Sequence, residues 1–329
     1  MADTTVAEHR PHADTDEERL LFPDTYAEQE PDRPAYIMAS GEAVSYGEMV
    51  EASRAISGLL HGRGLRHGDT VAILMSNEAA YFKVAWGLQR AGLRYVAIAT
   101  RLGAADVAYI LGNCEADALI VGPSLLDLAR EALALTDGVA ERFTTGPDVD
   151  GFESLFEACA GSAPNPDERE GVDLLYSSGT TGRPKGIVAT LPLAPLGTGP
   201  GFATLFHEKW GLEHDSIYLS PAPLYHAAPL RVCMTVHRYG GTVIVMDRFD
   251  AAAALELITP GVHGHLAEPG DERGFVHGAV QLAESPELRA RMRLAARERV
   301  ASLAWRAIVD SLVSLQRQVI LSSPLTYRR

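Results

Sequence analysis

The chain has 329 residues, of which 47% are hydrophobic and 22% are charged. This composition is typical of a globular protein with a hydrophobic core, and it excludes a mainly disordered chain. The net charge of −14, from 43 acidic and 29 basic side chains, argues against a nucleic-acid partner, because phosphate backbones are bound by clustered Lys and Arg.

The sequence does not predict secretion or insertion into a membrane. It has no apolar stretch long enough to span a bilayer, and its N-terminus lacks the basic start and apolar run of a secretory signal. The three cysteines are widely spaced and form no CxxC pair, which favours a reducing compartment over a disulfide framework or a zinc site. We therefore expect a cytoplasmic protein without a transmembrane segment, and we assign no metal ligand.

From Val44 onward, helical patterns alternate with short apolar strands. Ser45 and Glu48 have the S-x-x-E spacing of a capping box and predict the start of a helix. The predicted helices are Met49–Leu60, Glu78–Ala91, Ala104–Gly112, Phe152–Ala160, a segment after Ala227, and Asp250–Ile258. The predicted strands are Val71–Met75, Tyr95–Ile98, Ala118–Val121, Leu174–Ser177, Gly186–Thr190, Ile217–Ser220 and Thr242–Met246. This order predicts an α/β fold with mostly parallel sheets flanked by helices.

Composition divides the chain into three regions. Residues 1–20 are polar and acidic and predict a loose tail. Residues 21–258 carry the α/β pattern, although residues 137–172 within them are rich in Gly, Pro, Asp and Glu and predict a surface connection. Residues 259–329 begin with a Gly-, Pro- and His-rich stretch and continue as charged helices, so we expect a seam near residue 259 and a small, mainly helical tail.

The strongest motif is Tyr176–Gly186, which reads YSSGTTGRPKG and lies between two predicted strands. Its glycines allow backbone amides to converge on an anion, its hydroxyls add rotatable donors, and Lys185 adds a charge that can follow a phosphate. The spacing is not that of a Walker A loop. The motif predicts a phosphate-binding loop. The alternative is a hydroxyl-rich β-hairpin with an incidental lysine.

The motif resembles the phosphate loop of the adenylate-forming superfamily, which includes acyl-CoA synthetases, peptide-synthetase adenylation domains and luciferases. Those enzymes activate a carboxylate with ATP, release pyrophosphate and pass the acyl group to a thiol. The resemblance implies ATP, Mg²⁺ and coenzyme A as cofactors and a small carboxylic acid as substrate, and segments 230–234 and 240–250 look more like fatty-acid-type ligases. It also implies a catalytic role for Lys185 and contacts to the ATP phosphates from seven residues: Ser177, Ser178, Gly179, Thr180, Thr181, Gly182 and Lys185.

A second match is Pro221–Pro229, which reads PAPLYHAAP. It resembles the P-L-x-H block of the same superfamily, whose histidine lies near the acyl and thiol channel. The resemblance implies that His226 is a catalytic residue that borders the substrate, and the alternative is a structural loop histidine. Weaker matches, Asn77 among them, are predicted to be structural.

The resemblance covers about Asp24–Ile258, and later motifs of a complete ligase are missing from this sequence. No Y-G-x-T-E block is present, and the lysines are Lys83, Lys185 and Lys209, none of which lies in the position of a mobile C-terminal domain. We therefore expect a partial adenylation domain. Turnover by this chain alone is expected to be slower than that of a complete ligase by several orders of magnitude. The alternative is a non-catalytic protein that binds nucleotide or acyl chains. A sheet without its later strands also predicts self-association through exposed edges.

The tail carries a different resemblance. Gly261–Asp271 reads GVHGHLAEPGD and Ser285–Ala290 reads SPELRA, and both are similar to the closing segment of retaining glycosyltransferases of the two-Rossmann-domain type. This implies a glycosyltransferase-like tail, and a glycosyltransferase relic is a further alternative for the function. The other interpretation is a generic turn followed by charged helices, in which Ser285 caps a helix opened by Pro286.

Overall fold

The computed structural model describes residues 21–177, 184–187, 190–199, 201–249, 271–288, 290–292 and 294–295. They form the predicted α/β fold. The helices are α1 Asp24–Gln29, α2 Tyr46–Gly62, α3 Ala80–Arg90, α4 Ala104–Asn113, α5 Leu126–Leu133, α6 Leu155–Ala158, α7 Gly201–Trp210, α8 Ala227–Arg238 and α9 Glu272–Glu284. The strands are β1 Pro34–Met38, β2 Ala43–Ser45, β3 Thr70–Leu74, β4 Arg94–Ala97, β5 Ala118–Val121, β6 Glu141–Thr144, β7 Glu153–Ser154, β8 Val172–Asp173, β9 Leu175–Ser177, β10 Lys185–Ile187, β11 Ile217–Ser220 and β12 Thr242–Val245.

The larger sheet has six strands in the order β7-β6-β5-β3-β4-β8, and all of its pairs are parallel. Helices cover both faces, so its central strands are apolar on both sides. In β3, Val71 and Ile73 enter one hydrophobic cluster while Ala72 and Leu74 enter the other. The continuous apolar run of β3 follows from this two-sided burial.

A second sheet has four strands in the order β11-β12-β1-β2. Strands β11, β12 and β1 are parallel, and β2 pairs antiparallel to β1. Sequence analysis did not predict β1 or β2. The partner of β1, strand β12, is about 200 residues away along the chain, and the pairing Tyr36–Val243 shows that this long-range contact defines β1. Strand β2 then pairs with β1.

The structure corrects the interpretation of residues 137–172 as a surface connection. Strand β6 lies in that range, pairs with β5, and places Phe143 in the core with no exposed surface. The predicted helix Phe152–Ala160 is shorter, Leu155–Ala158, because Glu153 and Ser154 form β7 instead. Helices α5 and α7 were also not predicted.

Several local predictions are confirmed. Ser45 and Glu48 form the capping box of α2, with Ser45 Oγ accepting from the Glu48 amide and Glu48 Oε2 accepting from the Ser45 amide. In the tail, Ser285 Oγ accepts from the Leu288 amide at 3.1 Å, as expected of a helix cap. The predicted helix Asp250–Ile258 lies outside the described residues. The region boundaries at residues 20 and 258 remain predictions.

Among the residues that the structure describes, no helix combines the length and the apolar character needed to cross a bilayer.

Candidate active site

The predicted phosphate loop belongs to a β-hairpin. Strands β9 and β10 pair antiparallel, with Lys185 opposite Ser177 and Gly186 opposite Tyr176. Predicted site residues Ser178, Gly179, Thr180, Thr181 and Gly182 lie outside the described residues, as does the side chain of Ser177. Strand β9 continues β8 beyond the edge of the six-stranded sheet, at the carboxyl end of its parallel strands. That end is where ligands bind in open α/β sheets.

The base of this hairpin is closely packed. The Tyr176 hydroxyl donates to Asn113 Oδ1 at 2.7 Å, which ties β9 to the end of α4. A Cβ at Gly186 would lie 3.1 Å from the Tyr176 ring, so this ring covers the glycine directly. Lys185 is exposed, and no carboxylate of the described residues lies within ion-pair distance of it. Its ammonium group is therefore available to an anion at the tip of the hairpin.

His226 is the N-cap residue of α8 and is exposed. The preceding block is held by Asn77: its Oδ1 accepts from the Leu224 amide at 2.8 Å, and its Nδ2 donates to the carbonyls of Ala222 and Met246 at 3.2 and 2.8 Å. Leu224 is fully buried, so the block has one anchored side while His226 faces solvent. The predicted structural role of Asn77 agrees with these contacts.

Two ion pairs join α8 to the strand that leads to the hairpin. Arg231 Nε donates to both carboxylate oxygens of Asp173 at 2.9 and 3.1 Å. Arg238 makes a bidentate pair with Glu170 at 2.9 and 2.8 Å. Arg231 and Arg238 are seven residues apart, which is a rise of ~10.5 Å along a helix, and Glu170 and Asp173 are three residues apart, which is ~10 Å along an extended chain. Because Arg231 meets Asp173 and Arg238 meets Glu170, the helix and the strand run in opposite directions. The start of α8, with His226, therefore lies toward the same end as the hairpin.

The inner ion pair is almost completely buried, with side-chain exposures of 3% for Arg238 and 4% for Glu170. Burial alone would raise the pKa of Glu170, but the hydrogen bonds and charge of Arg238 outweigh it and hold that pKa below its usual range. The Glu170 carboxylate also accepts from the amides of Gly197 and Gly199 at 3.0 and 3.3 Å. This pair thus joins α8, β8 and the loop after β10.

Sequence analysis did not identify either ion pair. The available signal was weak: Arg231 and Arg238 are seven residues apart in a helix whose intervening residues are mostly apolar. Such spacing places both on one helix face, but the carboxylates that they meet lie about 60 residues earlier in the chain.

A cavity of about 350 Å³ lies between this face of α8 and β8. Its wall includes Tyr95, Arg231 and Met234, and the loop after β10 closes it from the side of Thr190. Because α8 and β8 run in opposite directions, the cavity extends from the hairpin end toward the buried pair of Glu170 and Arg238. A molecule in it can direct one end toward the predicted phosphate loop.

The sequence model that describes AMP-binding enzymes matches residues 23–262, which is more than half of the chain. The chain belongs to the AMP-binding enzyme family. This match includes both predicted motifs, the β9–β10 hairpin and the block before α8.

Individual relatives of this AMP-binding protein include a CoA synthase and a CoA ligase. A feruloyl-CoA synthase from Amycolatopsis sp. is 32% identical over 223 residues, which are 66% of this chain and 42% of that protein. The long-chain-fatty-acid–CoA ligase FadD13 from Mycobacterium tuberculosis is 29% identical over 252 residues, 75% of this chain and 46% of that protein. The crystal structure of ATP-bound MatB from Rhodopseudomonas palustris has a TM-score of 0.58 and 26% identity, and the similarity covers 72% of this chain and 47% of that one.

The AMP-binding chain thus spans less than half the length of these relatives. The roles of Lys185, His226 and the loop residues remain predictions, and so does the glycosyltransferase-like character of the tail, since most of Gly261–Asp271 lies outside the described residues. Among the described residues, no group of three or more His, Cys, Asp and Glu side chains could hold a metal ion.

Proposed function

We propose that this protein is an ATP-dependent acid–CoA ligase, which converts a carboxylic acid to an acyl adenylate and then to a CoA thioester. The observation that carries the proposal is the arrangement of the two motifs within the AMP-binding family match. The hairpin with Lys185 and the N-terminus of α8 with His226 lie at the same end of a helix–strand pair joined by the Arg231–Asp173 ion pair.

In this proposal ATP and coenzyme A are substrates. The acid carboxylate attacks the α-phosphorus of ATP and pyrophosphate leaves. Lys185 and the loop amides stabilise the charge that develops on the phosphates, which is the usual source of catalysis in phosphoryl and nucleotidyl transfer. The thiol of coenzyme A then attacks the acyl carbonyl and AMP leaves, with His226 bordering that channel.

Mg²⁺ is implied by the family. Protein-bound Mg²⁺ in nucleotide enzymes is commonly held by phosphates together with one or two carboxylates. The described residues contain no larger ligand cluster, so they do not fit a cage built by the protein alone. We assign no protein ligand and derive no step through the ion.

The acid is proposed to occupy the cavity between α8 and β8, with its carboxylate toward the hairpin. The names of the relatives cover an aromatic acid, feruloyl, and long-chain fatty acids. A fatty acid is the acid predicted from segments 230–234 and 240–250.

The test is to measure ATP binding and acid-dependent pyrophosphate release by the purified full chain with ATP, Mg²⁺ and a panel of acids. Lys185→Ala removes one charge-assisted phosphate contact, so we expect ATP binding to weaken about tenfold or more and pyrophosphate release to be lost. Lys83→Ala is the matched control, because Lys83 lies on α3 near the Phe156 ring and away from the hairpin. It should leave both measurements unchanged.

Each outcome separates the candidate functions. Acid-dependent release that requires Lys185 supports the ligase. ATP binding without release supports the alternative of a non-catalytic nucleotide-binding protein. Folded protein that binds a nucleotide sugar and no ATP would favour the glycosyltransferase relic and contradict the proposal.

A further inference from the structure

Two hydroxyl groups on the wall of the cavity, those of Tyr95 and Thr235, have already used their protons. The Tyr95 hydroxyl donates to Gln89 Oε1 at 2.8 Å, and the Thr235 hydroxyl donates to the Arg231 carbonyl at 2.7 Å. Tyr95 is 3% exposed and Thr235 is 1% exposed. Each oxygen keeps a lone pair but has no second proton to give. Toward a ligand in the cavity, both groups can therefore act as acceptors.

The charged groups at the inner end are also committed. Glu170 is neutralised by Arg238, and Arg238 donates in addition to the Leu21 carbonyl at 2.7 Å. The Gln89 amide nitrogen donates to Glu170 and to the Gly171 carbonyl. A second carboxylate pushed to this end would meet acceptors and an already paired arginine, so burying it there would be costly.

A plain alkyl chain is also poorly matched to this end. It would lie against the Tyr95 and Thr235 oxygens without offering a proton, so it would lack the hydrogen bond that a donor group could make there. The volume of about 350 Å³ lies near the lower limit of ligand pockets, which span roughly 300–1,000 Å³. The cavity thus fits a short acid better than a long chain.

We infer that the cavity selects a short carboxylic acid whose distal end carries a neutral hydrogen-bond donor, such as a hydroxyl group, and that Tyr95 determines this preference. The inference rests on the proposed function, because it takes the acid carboxylate to point toward the hairpin. It narrows the acid class from fatty acids in general to hydroxylated acids of about six carbons or a comparable ring.

The experiment compares three acids of equal length, hexanoate, 6-hydroxyhexanoate and adipate, by calorimetric titration of the full chain. The hydroxy acid should bind about tenfold more tightly than hexanoate, as expected for one net hydrogen bond, and more tightly than adipate. In Tyr95→Phe the hydroxyl group of bound 6-hydroxyhexanoate loses one acceptor. The affinity for 6-hydroxyhexanoate should then exceed that for hexanoate by only about twofold. Thr235→Val is a second variant that removes an acceptor from the same wall at nearly constant volume.

Tyr81→Phe is the matched control. Tyr81 is also fully buried, its hydroxyl has no hydrogen-bond partner among the described residues, and it does not line the cavity. Its loss should leave all three affinities unchanged. Equal binding of the three acids, tighter binding of adipate, no binding of any acid, or a preference that survives Tyr95→Phe would each overturn the inference.

Pyrophosphate release is recorded on the same protein, which separates the two proposals. Release without a preference for the hydroxy acid leaves the ligase in place and removes the inference. A hydroxyl preference that Tyr95→Phe abolishes, without any release, supports the inference about the cavity while the proposed function fails.

Discussion

At the scale of single residues, several buried polar groups of the described core have defined partners, although the Tyr81 hydroxyl has none. His237 is the clearest case: it is completely buried in α8, its Nδ1 accepts from Trp86 Nε1 at 3.1 Å, and its Nε2 donates to the Ala35 carbonyl at 3.2 Å. This pattern requires the neutral ring with the proton on Nε2. Burial lowers the pKa of His237 to about 3.

This histidine predicts a pH dependence of stability. The pKa is depressed in the folded state, so between about pH 6.5 and 3 the unfolded chain binds a proton that the folded chain does not. The contribution of His237 is therefore present above pH 6.5 and is lost as the pH falls, by about 1.4 kcal/mol per pH unit. Urea unfolding of the wild type and of His237→Gln at pH 7.5, 6.0 and 5.0 measures this difference.

The variant is expected to be less stable at pH 7.5, because it leaves Trp86 or Ala35 with a poorer partner. Its free energy of unfolding should nevertheless fall less steeply toward pH 5 than that of the wild type. Parallel slopes for the two proteins would show that His237 does not stay neutral in the folded chain.

At the scale of elements, α2 and α3 approach each other and the loop before β8 very closely. A Cβ at Gly87 of α3 would lie 2.7 Å from Ile56 Cγ2 of α2, and a Cβ at Gly58 of α2 would lie 2.3 Å from the Ala163 carbonyl oxygen. The obstacle at Gly87 is the buried Ile56 side chain, including its Cβ at 2.8 Å, whereas the obstacle at Gly58 is backbone. Sequence patterns predicted the apolar stripe of α2 but not which of its positions must lack a side chain.

Two glycines of α2 provide a matched pair of substitutions. Gly58→Ala should destabilise the protein by about 1–3 kcal/mol, because the added methyl meets the Ala163 carbonyl and the backbone must move. Gly62→Ala should stabilise it by up to about 1 kcal/mol, because nothing lies within 4 Å of the added Cβ and alanine favours the helix. The free energy of unfolding in urea measures both. A Gly58→Ala protein as stable as the wild type would contradict the close approach.

At the scale of the whole molecule, two sheets share one core built from distant parts of the chain. Strand β1 connects them, since it pairs with β12 and its Tyr36 ring packs against Phe82 of α3. Among the described residues, β11 pairs with β12 alone, which leaves its other side as a sheet edge. Its residues Ile217 and Leu219 are only half-buried there.

This edge is where the predicted self-association should occur. Ile217→Lys places a charge on the edge strand and should shift the protein toward monomer, because charged edges oppose strand pairing between molecules. Leu135→Lys is the control, since Leu135 is 63% exposed but lies after α5, outside any strand. Analytical ultracentrifugation of the three proteins compares them, and a monomeric wild type would refute the prediction.

Features that depend on local physics were predictable from the amino-acid sequence. Apolar runs located β3, β4, β5, β11 and β12, because a buried strand requires consecutive apolar residues. The S-x-x-E spacing located the start of α2, because a capping box requires particular side chains three residues apart. The resemblance of the two motifs, YSSGTTGRPKG and PAPLYHAAP, to the adenylate-forming superfamily was likewise enough to predict the family, which the match over residues 23–262 confirms.

Features that depend on partners far apart in the chain could be assigned only from the three-dimensional structure. Strands β1, β2 and β6 carry no strong pattern of their own and are defined by β12, β1 and β5, respectively. The pairs Arg231–Asp173 and Arg238–Glu170 form the cavity from segments about 60 residues apart. No local pattern encodes such a meeting, because the free energy that fixes it comes from burial and pairing that exist only after the chain has folded.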